Sequence, residues 1–97
     1  MMRASLFVPR YCVLCTMLRP RLESFCRRRG IDLVIWKVNA QGVGKRVGGP
    51  YETVDARAIP AFPALTIAGR PEILVGTGII AALRRFITTG SFEETAA

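Results

Sequence analysis

The run Ala4-Ser5-Leu6-Phe7-Val8 closes on Pro9, passes through Arg10 and Tyr11, and meets Cys12-Val13-Leu14-Cys15. A short apolar run ended by proline suits a buried strand. From Thr16 to Arg29 the apolar positions change period, with Leu18, Leu22, Phe25 and Cys26 recurring at helical spacing. The two thiols therefore fall where a strand gives way to a helix. A pair three positions apart at a helix start can close into a disulfide within one turn. The first thiol lies beside unpaired N–H groups and the positive end of the helix dipole, which favours the nucleophilic thiolate. Cys12 and Cys15 are accordingly the candidate catalytic residues. The alternative is that both are ordinary buried apolar side chains.

Outward from the cysteines, Arg27, Arg28 and Arg29 suit the last turn of the helix and Gly30 is a natural stop. Pro20 lies inside the helix, where its ring removes one backbone hydrogen bond and predicts a kink. Ile31 to Val38 is apolar and β-branched with Trp36 included, and reads as a second strand buried on both faces. Strand, helix and strand in this order form a βαβ unit with parallel strands.

The segment 39–58 changes character. Gly42, Gly44, Gly48, Gly49 and Pro50 break any regular period, and Lys45 and Arg46 add charge. It is read as a Gly-rich basic loop, or as a loop containing a short helix near Tyr51–Arg57. It lacks the spacing of a phosphate-binding loop. Beyond it, Ala64-Leu65-Thr66-Ile67 and Glu72-Ile73-Leu74-Val75 read as a hairpin around Ala68-Gly69-Arg70-Pro71. Gly76-Thr77-Gly78 opens a final helix, with Thr77 as its N-cap and Ile79, Ile80, Leu83, Phe86 and Ile87 on one face. The expected architecture is α/β, β-α-β then β-β-α, with a four-stranded mixed sheet flanked by helices. The domain spans residues 1–90, Gly90 ends it, and 91–97 form a flexible tail.

At 97 residues with 51% apolar content the chain is expected to fold as one domain with a modest core. No apolar run approaches the roughly 18–20 residues of a membrane span, and Met1–Val8 is too short for a signal peptide. A cytoplasmic protein is expected. Three cysteines cannot all pair within one chain, and the lack of histidine excludes Cys/His zinc sites and histidine-based catalysis. No metal and no cofactor are expected. Cys26 reads as a core thiol. The net charge of +7 is compatible with anionic partners, but no nucleic-acid-binding motif accompanies it.

The CxxC after the first strand, Pro20 five residues beyond the second cysteine, and Phe62-Pro63-Ala64-Leu65-Thr66-Ile67-Ala68-Gly69 together resemble the thioredoxin/glutaredoxin superfamily over residues 4–88. The resemblance implies a thioredoxin-like fold with a cis-proline before the third strand. Pro63 is preferred because it immediately precedes that strand; Pro60, in Ala58-Ile59-Pro60-Ala61, is the other candidate. It further implies that the backbone of Phe62 meets an extended substrate and that Cys12 and Cys15 are nucleophile and resolving thiol. Tyr11 and Phe62 would wall the exposed sulfur, and Gly76 and Thr77 would offer N–H groups to a substrate carboxylate.

The chain also departs from the family. Val13-Leu14 replaces the usual residue pairs between the cysteines. Leu6 stands where thioredoxins bury an aspartate, and Val75-Gly76-Thr77-Gly78 lacks the glutathione-binding aspartate of glutaredoxins. The expected function is thiol–disulfide exchange with protein or low-molecular-weight disulfides. Expected partners are a disulfide-containing protein or a glutathione-like thiol and an upstream reductase. No membrane or nucleic-acid partner is expected, and the chain is expected to be monomeric. The alternative is a redox-inert interaction module using its basic face or Gly-rich loop.

Overall fold

The computed structural model describes residues 2–89, with side chains through 85. The elements in chain order are β1 (Arg3–Val8), α1 (Val13–Arg29), β2 (Asp32–Val38), β3 (Val43–Arg46), β4 (Thr53–Asp55), β5 (Ala64–Ile67), β6 (Ile73–Val75) and α2 (Thr77–Thr89). They build an α/β structure around one mixed sheet in the order β4-β3-β2-β1-β5-β6. β1 and β2 run parallel, as the βαβ reading requires, and every other pairing is antiparallel.

The sheet has six strands rather than the expected four. The extra pair, β3 and β4, comes from the Gly-rich segment, and β4 replaces the helix considered near Tyr51–Arg57. The glycines there do not all break structure. Gly42, Gly48 and Gly49 hold positive φ angles at turns. Gly44 instead lies within β3, where an added Cβ would come 2.9 Å from Val54 Cγ1 and 3.3 Å from Trp36 Cβ. It is a strand residue chosen for close packing. Asn39 Oδ1 accepts from the N–H groups of Gln41 and Val43, fixing the turn into the hairpin. At its exit, Asp55 accepts three hydrogen bonds from Arg57, which hold its carboxyl down at about 2.

Alternation along the strands splits the core by face. On one face Ala4, Leu6, Ile35, Leu65 and Ile67 pack with Leu18, Leu22 and Cys26 of α1 and Ile79 and Leu83 of α2. On the other, Phe7, Val34, Trp36, Val38 and Ala64 lie under Ala56, with Ile59 and Phe62 packed against them. Helices therefore cover one face and the irregular chain after β4 covers part of the other. Three consecutive buried residues in β2, Val34, Ile35 and Trp36, reflect this two-sided burial. Leu6, Leu22, Leu65 and Ile79 are fully buried, each stabilising the fold by about 1.5–3 kcal/mol.

α1 ends as its sequence suggests. Gly30 takes the left-handed conformation, and the N–H of Ile31 reaches back to Cys26 O at 2.8 Å. Arg27, Arg28 and Arg29 occupy the last turn, and Pro20 is accommodated inside the helix. α2 begins at Thr77 itself, so Gly76 rather than Thr77 takes the flanking position. The Phe62–Pro63 peptide bond is cis. The side chains of Phe86 and Ile87, the stop at Gly90 and the tail 91–97 lie outside the described residues. Among the described residues no helix is long and apolar enough to cross a membrane.

Candidate active site

β1 delivers the chain through Pro9, Arg10 and Tyr11 to the start of α1, and there Cys12 and Cys15 form a disulfide with their Cα atoms 5.2 Å apart. Cys12 is the N-cap of α1. Its backbone is extended, its carbonyl accepts from Thr16 N–H at 3.3 Å, and its Sγ accepts from Cys15 N–H at 3.1 Å. Serine, threonine or aspartate usually fills such a position, and here sulfur performs the same service. Thr16 adds a hydroxyl bond to Cys12 O at 3.2 Å.

The two sulfurs are unequal. Cys12 is half-buried, whereas Cys15 faces the core and is only 8% exposed. Tyr11 and Val13, on either side of Cys12, are more than four-fifths exposed. Beside the disulfide lies an open groove of about 810 Å³, to which Tyr11, Thr16, Arg19, Pro20, Lys37 and Val47 contribute. Arg10 sits 5.5 Å from the Tyr11 ring and lines the same groove. Glu23 also reaches it, but its carboxylate is engaged by Arg19 Nε at 2.7 Å.

Electrostatics at the pair come from the helix start and the surrounding cations. No acidic residue lies in the first turn of α1. Leu6 is completely buried, and no polar or charged side chain is buried among the described residues. The core thus offers no carboxylate to take a proton from Cys15. Cys26, the third cysteine, is free and buried, and desolvation pushes its thiol from 9.0 up to about 11.

Of the other candidate residues, Pro63 precedes β5 and Gly76 follows β6, at the end of the sheet where β1 leads out to Cys12. Phe7 pairs there with Ala64, and Ala64 with Val75. Tyr11 lines the disulfide groove, but Phe62, Pro63, Gly76 and Thr77 do not. Phe62 packs against the core face opposite the helices. Pro63 and Gly76 are joined to each other, Gly76 N–H donating to Pro63 O at 2.9 Å. Thr77 is exposed at the start of α2. Sequence reasoning missed Lys37, Arg19 and Val47 as groove residues. The available signal was Lys37, the only polar residue in Leu33–Val38. Among the described residues no three His, Cys, Asp or Glu side chains converge to hold a metal ion.

Fold and site together define an α/β protein with a disulfide-forming cysteine pair at the N-terminus of its first helix. No protein-family model, curated protein or solved structure matches the chain.

Proposed function

We propose that the protein is a thiol–disulfide oxidoreductase of the thioredoxin/glutaredoxin type. The observation that carries this reading is the disulfide between a half-buried N-cap Cys12 and a buried Cys15, beside an open groove. The parallel β1–α1–β2 unit and the β5–β6 hairpin leading into α2 support the family resemblance. The β3–β4 hairpin is this chain's addition to that plan.

In the reducing direction the Cys12 thiolate attacks one sulfur of a substrate disulfide. A Cys12–substrate disulfide forms, the substrate S–S bond breaks, and the departing thiolate takes a proton from water. Cys15 then loses its proton to water and attacks Cys12 Sγ. The Cys12–Cys15 bond forms and the second substrate thiolate leaves. Two electrons pass to the substrate, and an upstream thiol or reductase returns the pair to the dithiol. The helix N-terminus and the Cys15 N–H stabilise the Cys12 thiolate both as attacking and as leaving group. A reducing cytoplasmic setting suits this cycle.

A disulfide-reduction assay with glutathione or a thioredoxin reductase as electron source tests the proposal. Wild type is expected to turn over and Cys12→Ser to be inactive. Equal turnover by the two proteins would sink the proposal and leave a redox-inert interaction module.

A further inference from the structure

The sheet extends past its helices. Strand register places Lys37 of β2 directly opposite Lys45 of β3, and Lys45 opposite Thr53 of β4. Lys37 is two residues from Ile35, which packs with α1 and α2, so this row belongs to the helix-side face. Beyond the helices it forms a groove of about 610 Å³, to which Arg10, Lys37, Lys45, Arg46 and Tyr51 contribute. No carboxylate lines that groove among the described residues. Arg10, Lys37 and Val47 also line the disulfide groove, so the two form one trough.

The cations are only partly matched within the protein. Glu52 engages Arg46 at 3.1 Å, and Lys45 lies 5.3 Å from the Tyr51 ring. Lys37 and Lys45 face each other across neighbouring strands, an arrangement that is unfavourable without a counter-charge. A bound anion would reverse the sign of that interaction. The cations spread from β1's exit to β3, farther than one carboxylate reaches, with strands spaced about 4.8 Å apart. Tyr11 and Tyr51 are 84% and 78% exposed and give apolar contact area along the way.

We propose that this trough docks an acidic segment of the substrate protein, its carboxylates on Lys37, Lys45 and Arg10 while its disulfide reaches Cys12. The proposal rests on the exchange function above for the identity of the partner. A polypeptide is favoured over nucleic acid because the trough runs into the thiol pair, and a polypeptide can carry both carboxylates and a disulfide.

Binding is tested separately from exchange. The probe is a fluorescein-labelled, cysteine-free peptide containing six glutamates, followed by anisotropy with wild type and with Cys12→Ser. Both proteins are expected to bind it equally, and to lose at least tenfold in affinity in 0.5 M NaCl, since screening shortens the reach of surface charge. Lys37→Glu/Lys45→Glu is expected to weaken binding at least tenfold. Arg27→Glu/Arg28→Glu, which changes the net charge equally at the far end of α1, is expected to leave binding within twofold. Lys37→Gln/Lys45→Gln removes the repulsion and serves as the folded variant should the charge reversal fail to fold. With disulfide substrates, the lysine changes should lower kcat/KM at least tenfold more for acidic flanks than for neutral flanks. Equal weakening by the two reversals, no peptide binding, or tighter lysine-dependent binding of a single-stranded oligonucleotide would each overturn the proposal. An exchange-active protein that fails these binding tests overturns docking alone; peptide binding without turnover overturns the exchange reading alone.

Discussion

Cys15 donates its backbone N–H to Cys12 Sγ at 3.1 Å, so the first cysteine of the pair caps the helix through the second. This bond does not depend on the Cys15 side chain. In Cys15→Ser the N–H donor and the helix dipole remain, while the resolving thiol is gone. Incubation with a disulfide substrate should therefore accumulate a mixed disulfide on Cys12, read as an intact-mass adduct. Cys12→Ser should accumulate none. Equal adduct yields from both variants would contradict the assignment of nucleophile and resolving thiol.

Cys26 should behave as the opposite kind of thiol. It is 3% exposed, and burial holds it protonated up to about 11. On the reduced protein near neutral pH, iodoacetamide should label Cys12 and spare Cys26 until the chain unfolds. The raised value also couples to stability. The neutral thiol is favoured in the folded state, so its contribution is complete below the ordinary value of 9.0 and is lost as pH rises through about 11. Cys26→Ala should remove that part of the alkaline loss, measured as the difference between the two proteins' denaturation curves across this window. Parallel curves would contradict it.

Leu6 anchors the centre of the sheet, pairing in register with Ile35 and Leu65 and having no exposed surface. Leu6→Ala should destabilise the protein by about 2–5 kcal/mol through lost burial and the cavity left behind. In a domain of this size that is a large share of the total. Urea denaturation would read it as a lower midpoint, and an unchanged midpoint would show that the site collapses without cost.

Gly44 tests the hairpin. A side chain there would meet Val54 and Trp36 at 2.9 and 3.3 Å, and Val54 is β-branched with little rotamer freedom. Gly44→Val should cost about 1–3 kcal/mol through overpacking. The amides of Val43–Arg46 and Thr53–Asp55 should lose hydrogen-exchange protection before those of β1 and β2. Unchanged protection in the hairpin would mean that the packing at Gly44 does not hold it.

Much of the framework was legible along the chain. The apolar run to Val8, the helical period through Cys26 and the β-branched run to Val38 each carry a local signal of period and composition, and β1, α1 and β2 follow them. The β5–β6 hairpin and the start of α2 were likewise marked by Gly69, Pro71 and Gly76. The β3–β4 hairpin was not. Gly44 reads locally as a breaker, and only the approach of Trp36 from β2 and Val54 from β4 gives it a reason to lie in a strand. The site divides in the same way. Cys12 and Cys15 announce themselves by spacing, but Lys37 and Val47 become groove residues only when β2 and β3 pair beside β1.

The sequence by itself determined a βαβ unit and a thiol pair at its helix start, because helix period, capping and cysteine spacing act between residues a few positions apart. The tertiary structure alone decided that six strands form, that Leu6 fills the core between Ile35 and Leu65, and that two lysines meet across strands, Lys37 of them lining the disulfide groove. Those relationships join residues distant in the chain, and only strand register and side-chain packing bring them together.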